Sequence, residues 1–448
     1  MMKKLLTLSL LLMFTALVFG QWVQQATGFA AASRGINYVS VVDENVVWAQ
    51  AYDGSGAGAA IQEFTRTTNG GTTWTPGVIN NASGLEMAMI FALNADTAFA
   101  PLFRSSGSNP QGIYVTYDGG LTWARQASAS YSASASFPNV VHFFNESDGF
   151  AQGDPESGYF ELYTTSNGGS TWTRVPQTNI PAPLSGEWGI VGYYDAVGDT
   201  IWWGTQKGRV FMSTDKGYNW TVAQTPLNTY TTVVMASGMH GLAQDKGAGS
   251  TGTIYETLDG GTTWTLVPFT GSCYTNSIAH VPGTAATLVS TGAASGFSGA
   301  SYSYDGGHTW TDFVGTQGIQ FLATGWANNA NGWAGDFTDQ TMPSTVGGMY
   351  KYTGVLTQVM ENLEKDKGVA VYPNPSSSNF TFSLKGFENE NLLLTIRDLS
   401  GRLVFSGNYS ESLITFNIDV NLSEVPSGFY IAELQSGDFR WTEKLVKN

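Results

Sequence analysis

The 448-residue chain is nearly without cysteine, Cys273 being the single one. A disulfide framework is therefore excluded, and a large apolar core has to supply the stability. One isolated Cys reads as a small buried apolar residue rather than a nucleophile. Cationic side chains are also scarce: 20 Lys and Arg stand against 35 Asp and Glu, a net charge of −15. Nucleic acid and anionic membrane surfaces are poor partners for such a chain, because phosphate binding needs clustered Lys and Arg. The four histidines, His142, His240, His280 and His308, fall in no HExxH or HxH arrangement. With no paired-Cys motif, phosphate loop or G-x-S-x-G either, the sequence offers no metal site and no cofactor. Long apolar runs are missing after the first twenty residues. There MMKK precedes LLTLSLLLMFTALVF, and the small Val18 and Gly20 precede Gln21. This reads as a secretory signal over 1–20, too short for a spanning helix. No Cys follows it to carry a lipid. The mature chain is expected to leave the cytoplasm without a transmembrane segment.

What the chain does hold is glycine, 54 residues of it, and 13% aromatics. Low charge with many turns and aromatics suits an all-β protein. Its main feature is one phrase written six times: TTNGGTTW, TYDGGLTW, TSNGGSTW, STDKGYNW, TLDGGTTW and SYDGGHTW. The closing tryptophans are Trp74, Trp123, Trp172, Trp220, Trp264 and Trp310, at steps of 49, 49, 48, 44 and 46 residues. Periods of this length signal propeller blades or similar arrays. In the third unit VVHFF, GFAQG, YFELYTT and TWTRV are four short strands, which is one blade. The phrase falls at the turn between its third and fourth strands.

The residue types suit a turn. The third position (Asn69, Asp118, Asn167, Asp215, Asp259, Asp305) can accept bonds from nearby backbone N–H groups. The fifth (Gly71, Gly120, Gly169, Gly217, Gly261, Gly307) permits positive φ. The eighth is the tryptophan, able to pack between sheets. Because Asn69 and Asn167 lack the charge that a metal ligand or catalytic acid needs, the phrase reads as a structural fastener. From Gln21 to Gly354 is 334 residues, about seven such units. A seventh, without a box, has FLATGWA, NGWAGDF and GGMYKYT but no fourth strand. QWVQQAT at 21–27 resembles the fourth strands of other units and is expected to close the ring.

These boxes resemble the Asp-box, or BNR, repeat of sialidases, sortilin-type ectodomains, xyloglucan-cleaving enzymes and photosystem assembly factors. The resemblance implies a seven-bladed β-propeller over 21–354. It leaves function undecided, since the repeat occurs in catalytic and non-catalytic propellers alike.

In a propeller the boxes lie opposite the face formed by the second-to-third turns and the links between blades. Candidates for binding come from that loop face. Asp154 in GDPESG and Glu187 in LSGEWG are expected at one rim, with Glu156 and Trp188 nearby. Paired carboxylates about 5–9.5 Å apart can cleave a glycosidic bond, so Asp154 and Glu187 are the catalytic candidates. Asp154, Glu156, Glu187 and Trp188 are the ligand-binding ones. Asp53, Asp245, Asp336 and Asp339 fall in comparable loops. A sialidase would need an arginine cluster; only Arg34 and Arg104 are placed for one, and the F/Y-R-I-P phrase is absent. Two readings follow: a non-catalytic surface propeller binding glycan or protein through its loop face, and a secreted glycoside hydrolase.

After Gly354 the repeat stops. Residues 355–368 read as a polar linker. NFTFSL, LLLTIRD, RLVFSG, LITFNID and FYIAELQ then alternate as a small Ig-like β-sandwich over 369–448. An adhesive module would read the same way. However, VYPNPSSSNFTF, DLSGRLV, SGFY and EKLVKN resemble the C-terminal sorting domain of the type IX secretion system of Bacteroidetes. That resemblance implies export through the periplasm to the outer-membrane surface or the medium, with the secretion machinery as partner.

Overall fold

The computed structural model describes residues 21–133, 135–246, 252–337, 347–356, 368–387, 390–410, 415–437 and 439–448. The signal segment 1–20, most of the linker and Asp339 lie outside these residues. The chain divides into two compact units, Met1–Thr357 and Gln358–Asn448.

The described residues of the first unit form seven antiparallel sheets, each a meander running outward from an innermost strand. The innermost strands are Arg34–Val41 in blade 1, Leu85–Met87 with Phe91–Ala92 in blade 2, and Pro138–Phe143 in blade 3. Gly189–Val197, Thr231–Met235, Ser277–His280 and Phe321–Asn328 follow in blades 4 to 7. Each contacts the innermost element of the next blade, except that blade 3's meets blade 2 through the second strand Ala98–Arg104, and that of blade 7 contacts that of blade 1. The ring is therefore closed. Closure covers edges that an open array would expose. The outermost strand of blade 7 is Trp22–Ala26, which pairs in register with Gly348–Tyr352.

Burial explains why these segments are strands. In blade 3, Gly149–Glu156 buries its first five residues in succession and Tyr159–Thr165 its last six. Covered on both faces, these runs are mostly apolar or small, and the buried Glu161 is held by the Ser136 and Tyr163 hydroxyls. Aromatic residues fill the wedges between blades: Trp203 stacks flat on Phe211 at 4.3 Å while Phe160 of the preceding blade meets both edge-on.

All six repeated phrases form one hydrogen-bonded turn between third and fourth strands. The first-position hydroxyl accepts the fifth-position N–H at 2.7–3.0 Å in every copy, from Gly71 to Thr67 through Gly307 to Ser303. The Asx oxygen accepts the seventh-position N–H at 2.8–2.9 Å. Asn69 and Asn167 fill this place as Asp does. The fourth-position N–H then reaches the hairpin between the first two strands of its own blade, as from Gly70 to Asn45 at 2.9 Å and from Lys216 to Asp199 at 3.0 Å. The fifth glycine is needed for two reasons. At Gly217 φ is +92°, and a Cβ would sit 2.6 Å from the Phe150 ring of blade 3.

The second unit is a sandwich of a three-stranded and a four-stranded sheet. Phe380, Phe382, Leu384, Leu394, Ile396 and Leu434 form its core. In Gly428–Ser436 buried residues alternate from Tyr430 onward, the period expected of a sheet with one covered face.

Candidate functional site

Antiparallel meanders place the second-to-third turns and the links between blades at the end of the ring away from the boxes. On that face a cavity of about 700 Å³ opens, lined by Asn139 and Asp154 of blade 3 and Trp188 to Val191 and Tyr193 of blade 4. Tyr230, Lys246 and Asn276 complete it from the links and loops of blades 5 and 6.

Its floor comes from an irregularity in the innermost strand of blade 4. Gly189 pairs with Thr205 and Tyr194 with Trp203, so the intervening residues have no partners in the neighbouring strand. The extra chain bulges across the ring axis. Gly192, at φ +71°, lies against Tyr38 of blade 1 and the Ala88 carbonyl of blade 2. Tyr193 donates its hydroxyl to the Asn276 carbonyl of blade 6 at 3.0 Å. Tyr194 bonds His142 of blade 3 at 3.1 Å. Burial pushes that imidazole down to about 3, so it is neutral.

Asp154 sits at the bulged end of its strand, where the register against Tyr159–Thr165 slips between Gly153 and Pro155. One carboxylate oxygen, Oδ1, accepts from Asn139 Nδ2 at 2.7 Å and from the Gly189 N–H at 3.0 Å. Burial raises its pKa to about 6, with those two hydrogen bonds opposing the rise. Trp188 is 42% exposed and Tyr230 45% exposed, both far more than the aromatic residues of the wedges. On the blade 5 side, Lys246 Nζ lies 3.8 Å over the Tyr193 ring, donates to the Tyr193 hydroxyl, and donates to the Asn276 carbonyl at 3.2 Å.

The structure brings Asp154 and Trp188 together but not the other two candidates. Glu187 does not line this cavity. The Glu187 side chain is 0% exposed and held by Arg209 at 2.8 Å. Its oxygens also accept from the Thr205 hydroxyl at 2.8 Å and the Leu184 N–H at 2.7 Å. It is a buried strut for the link into blade 4. Glu156 pairs with Arg174 at 3.1 Å and does not line the cavity either. Asp53 is bound to Arg34 at 3.0 Å, and Asp336 is buried. Arg34 bridges Asp53 and Glu63, so it joins no arginine cluster. Asp245 has its pKa raised by burial but is not among the lining residues. Among the described residues no group of acids, histidines or cysteines is arranged to hold a metal ion.

Lys246, Tyr193, Asn139, Asn276 and Tyr230 were not distinguishable from loop and strand residues in the sequence. The usable signal was positional: Lys246 follows the second strand of its blade as Asp154 ends the second strand of blade 3.

Residues 370–448 match the family of secretion system C-terminal sorting domains. The chain carries a type IX sorting tail. It is thereby marked for secretion to the cell surface or the extracellular space, and among the described residues no helix is long and apolar enough to cross a membrane. The propeller resembles YCF48 from Cyanidioschyzon merolae, with TM-score 0.52 and 14% identity over 74% of this chain and 98% of that one. It also resembles an ancestral GH74 enzyme, with TM-score 0.50 and 12% identity over 94% of this chain and 63% of that one. Both likenesses concern the fold. A xyloglucanase of Hypocrea jecorina (strain QM6a) is 30% identical over 208 residues, 45% of this chain but only 21% of that enzyme. The chain thus spans about a fifth of that relative's length.

Proposed function

We propose that this exported propeller binds a glycan in its loop-face cavity and does not cleave it. One observation carries the reading: an exposed indole faces a cavity whose described lining has a single carboxylate, Asp154. Hydrolysis of a glycosidic bond uses two carboxyl groups about 5–9.5 Å apart, and Glu187 is committed to Arg209. The groups present suit sugar binding. Trp188 and Tyr230 offer faces to the C–H side of a pyranose ring. Asp154 Oδ2, the oxygen that no described donor occupies, can accept from a hydroxyl, and the neighbouring Asn139 amide supplies a donor.

The second reading is a glycoside hydrolase. The segment shared with a xyloglucanase favours it, as does an Asp154 pKa of about 6, suited to a general acid. One experiment separates the two. The full mature chain is screened on a glycan array and against chromogenic glycosides. Binding without turnover, weakened at least tenfold by Trp188→Ala, is expected. Turnover that disappears in Asp154→Asn would replace binding by hydrolysis.

A further inference from the structure

We infer that the cavity has a second subsite, built on Lys246, which selects acidic sugars: the ligand carries a carboxylate or sulfate beside the ring seated on Trp188. The inference rests on the glycan-binding reading and deepens it.

Its basis is the company that Lys246 keeps. The ammonium is half-buried, and every described partner is neutral: the Tyr193 ring and hydroxyl and the Asn276 carbonyl. Among the described residues it forms no ion pair within 4 Å. Elsewhere in the propeller Arg34, Arg174, Arg209 and Lys216 meet carboxylates, whereas Lys351, over the Trp333 ring and donating to the Gly70 carbonyl, has like Lys246 only neutral described partners but does not line this cavity. A partly buried cation supported only by neutral groups is costly, because burial removes water from the charge, and Lys246 is set apart by its place in the cavity wall. The arrangement fixes the ammonium: a ring below it and two acceptors beside it use two of its three N–H groups. One N–H has no described partner and is open to a ligand, in a cavity whose described lining holds no other basic residue. The one carboxylate of the described lining, Asp154, is already anchored through Oδ1 by Asn139 and Gly189. The cavity therefore presents an acceptor site for hydroxyls on the blade 3 side and a positive site on the blade 5 side. A neutral sugar uses only the first. A sugar bearing an anionic substituent uses both.

A peptide chain is less well served, since the cavity exposes aromatic faces and single polar groups rather than a strand edge with which a backbone could pair.

The test is calorimetric titration of the full mature chain with oligogalacturonides, their methyl esters, a sulfated oligosaccharide and the corresponding neutral oligosaccharide. The acid is expected to bind on the order of tenfold tighter than its ester at low salt, the preference shrinking as ionic strength rises. Lys246→Met should bring the acid-to-ester ratio to about one, and Lys246→Arg should keep it above about three. Melting curves verify that both variants fold. Preference for the sulfated ligand over the uronide supports the subsite and identifies sulfate as its anion. Neutral binding with no preference for either anion overturns the subsite and leaves glycan binding standing. Absence of all glycan binding, or capture of acidic peptides instead, overturns both.

Discussion

The indole N–H of Trp74 donates to Gln25 Oε1 at 3.0 Å. This single bond joins the repeated turn of blade 1 to the outermost strand of blade 7, across the seam where the ring closes. The same relation recurs within the ring, where Trp172 donates to Gln126 at 2.6 Å. Gln25→Ala should leave the Trp74 donor short of its partner, costing about 1–3 kcal/mol. Differential scanning calorimetry should show the melting temperature fall by a few degrees. Removing residues 21–27 should lower it much further, because Trp22 and the pairing with Gly348–Tyr352 go as well.

Glu187→Gln tests the strut reading. It removes the opposite charge beside the buried Arg209 guanidinium, which keeps the Ala182 carbonyl as an acceptor. Breaking one half of a buried ion pair costs about 3–5 kcal/mol, so chemical denaturation should shift clearly to lower denaturant. A variant as stable as the parent would return Glu187 to the list of functional acids.

Glycan affinity should depend on pH through Asp154. Its carboxyl titrates near 6, raised chiefly by burial. Above that pH Oδ2 is a charged acceptor. Below it the group is protonated and a weaker one, so affinity should fall as pH drops through about 6. Asp154→Asn should bind more weakly at neutral pH and show a flatter profile. Binding that strengthens on acidification would contradict the assigned role.

The repeated turns should confer acid sensitivity by the opposite sign. The Asp118 carboxyl is lowered to about 2 by the Thr122 hydroxyl and N–H that bond it. A folded pKa below the unfolded value of 3.8 means stability present above pH 4 and lost as pH falls toward 2. Asp118→Asn, the residue found at positions 69 and 167, should keep the fold and remove this share of the acid loss. In contrast Gly217→Ala, which puts a methyl group against Phe150 at positive φ, should destabilise at every pH by more than about 1 kcal/mol.

Export should depend on the sorting tail. A chain lacking 369–448 should accumulate in the periplasm, as cell fractionation would reveal. Normal surface delivery would exclude the tail as the signal.

The sheets and turns were legible because each repeated phrase is a complete local device: hydroxyl, Asx, glycine and indole at fixed offsets, needing no distant partner to define it. A companion device was harder to see. In the hairpin between the first two strands, Asp43, Asn94 and Asn145 each accept two N–H bonds, but Ser237 does so in blade 5, so no single letter repeats. The cavity was only half legible. Trp188 and Asp154 were found from loop position. The surroundings of Glu187 were not legible, because carboxylates look alike in sequence and only the fold reveals Arg209 beside it. GIVGYYDAV reads as an ordinary strand; nothing local signals that its middle leaves the sheet, because the cause is the set of partners waiting on five other blades.

That detour also decides how a polymer can approach. With Gly192 against Tyr38 and Tyr193 fastened to Asn276, the hub is stoppered at blade 4. A long chain cannot thread through the toroid as through a bead. On the proposed binding reading a polysaccharide lies across the rim and dips toward the basin from one side only, which makes its internal stretches as accessible as its ends.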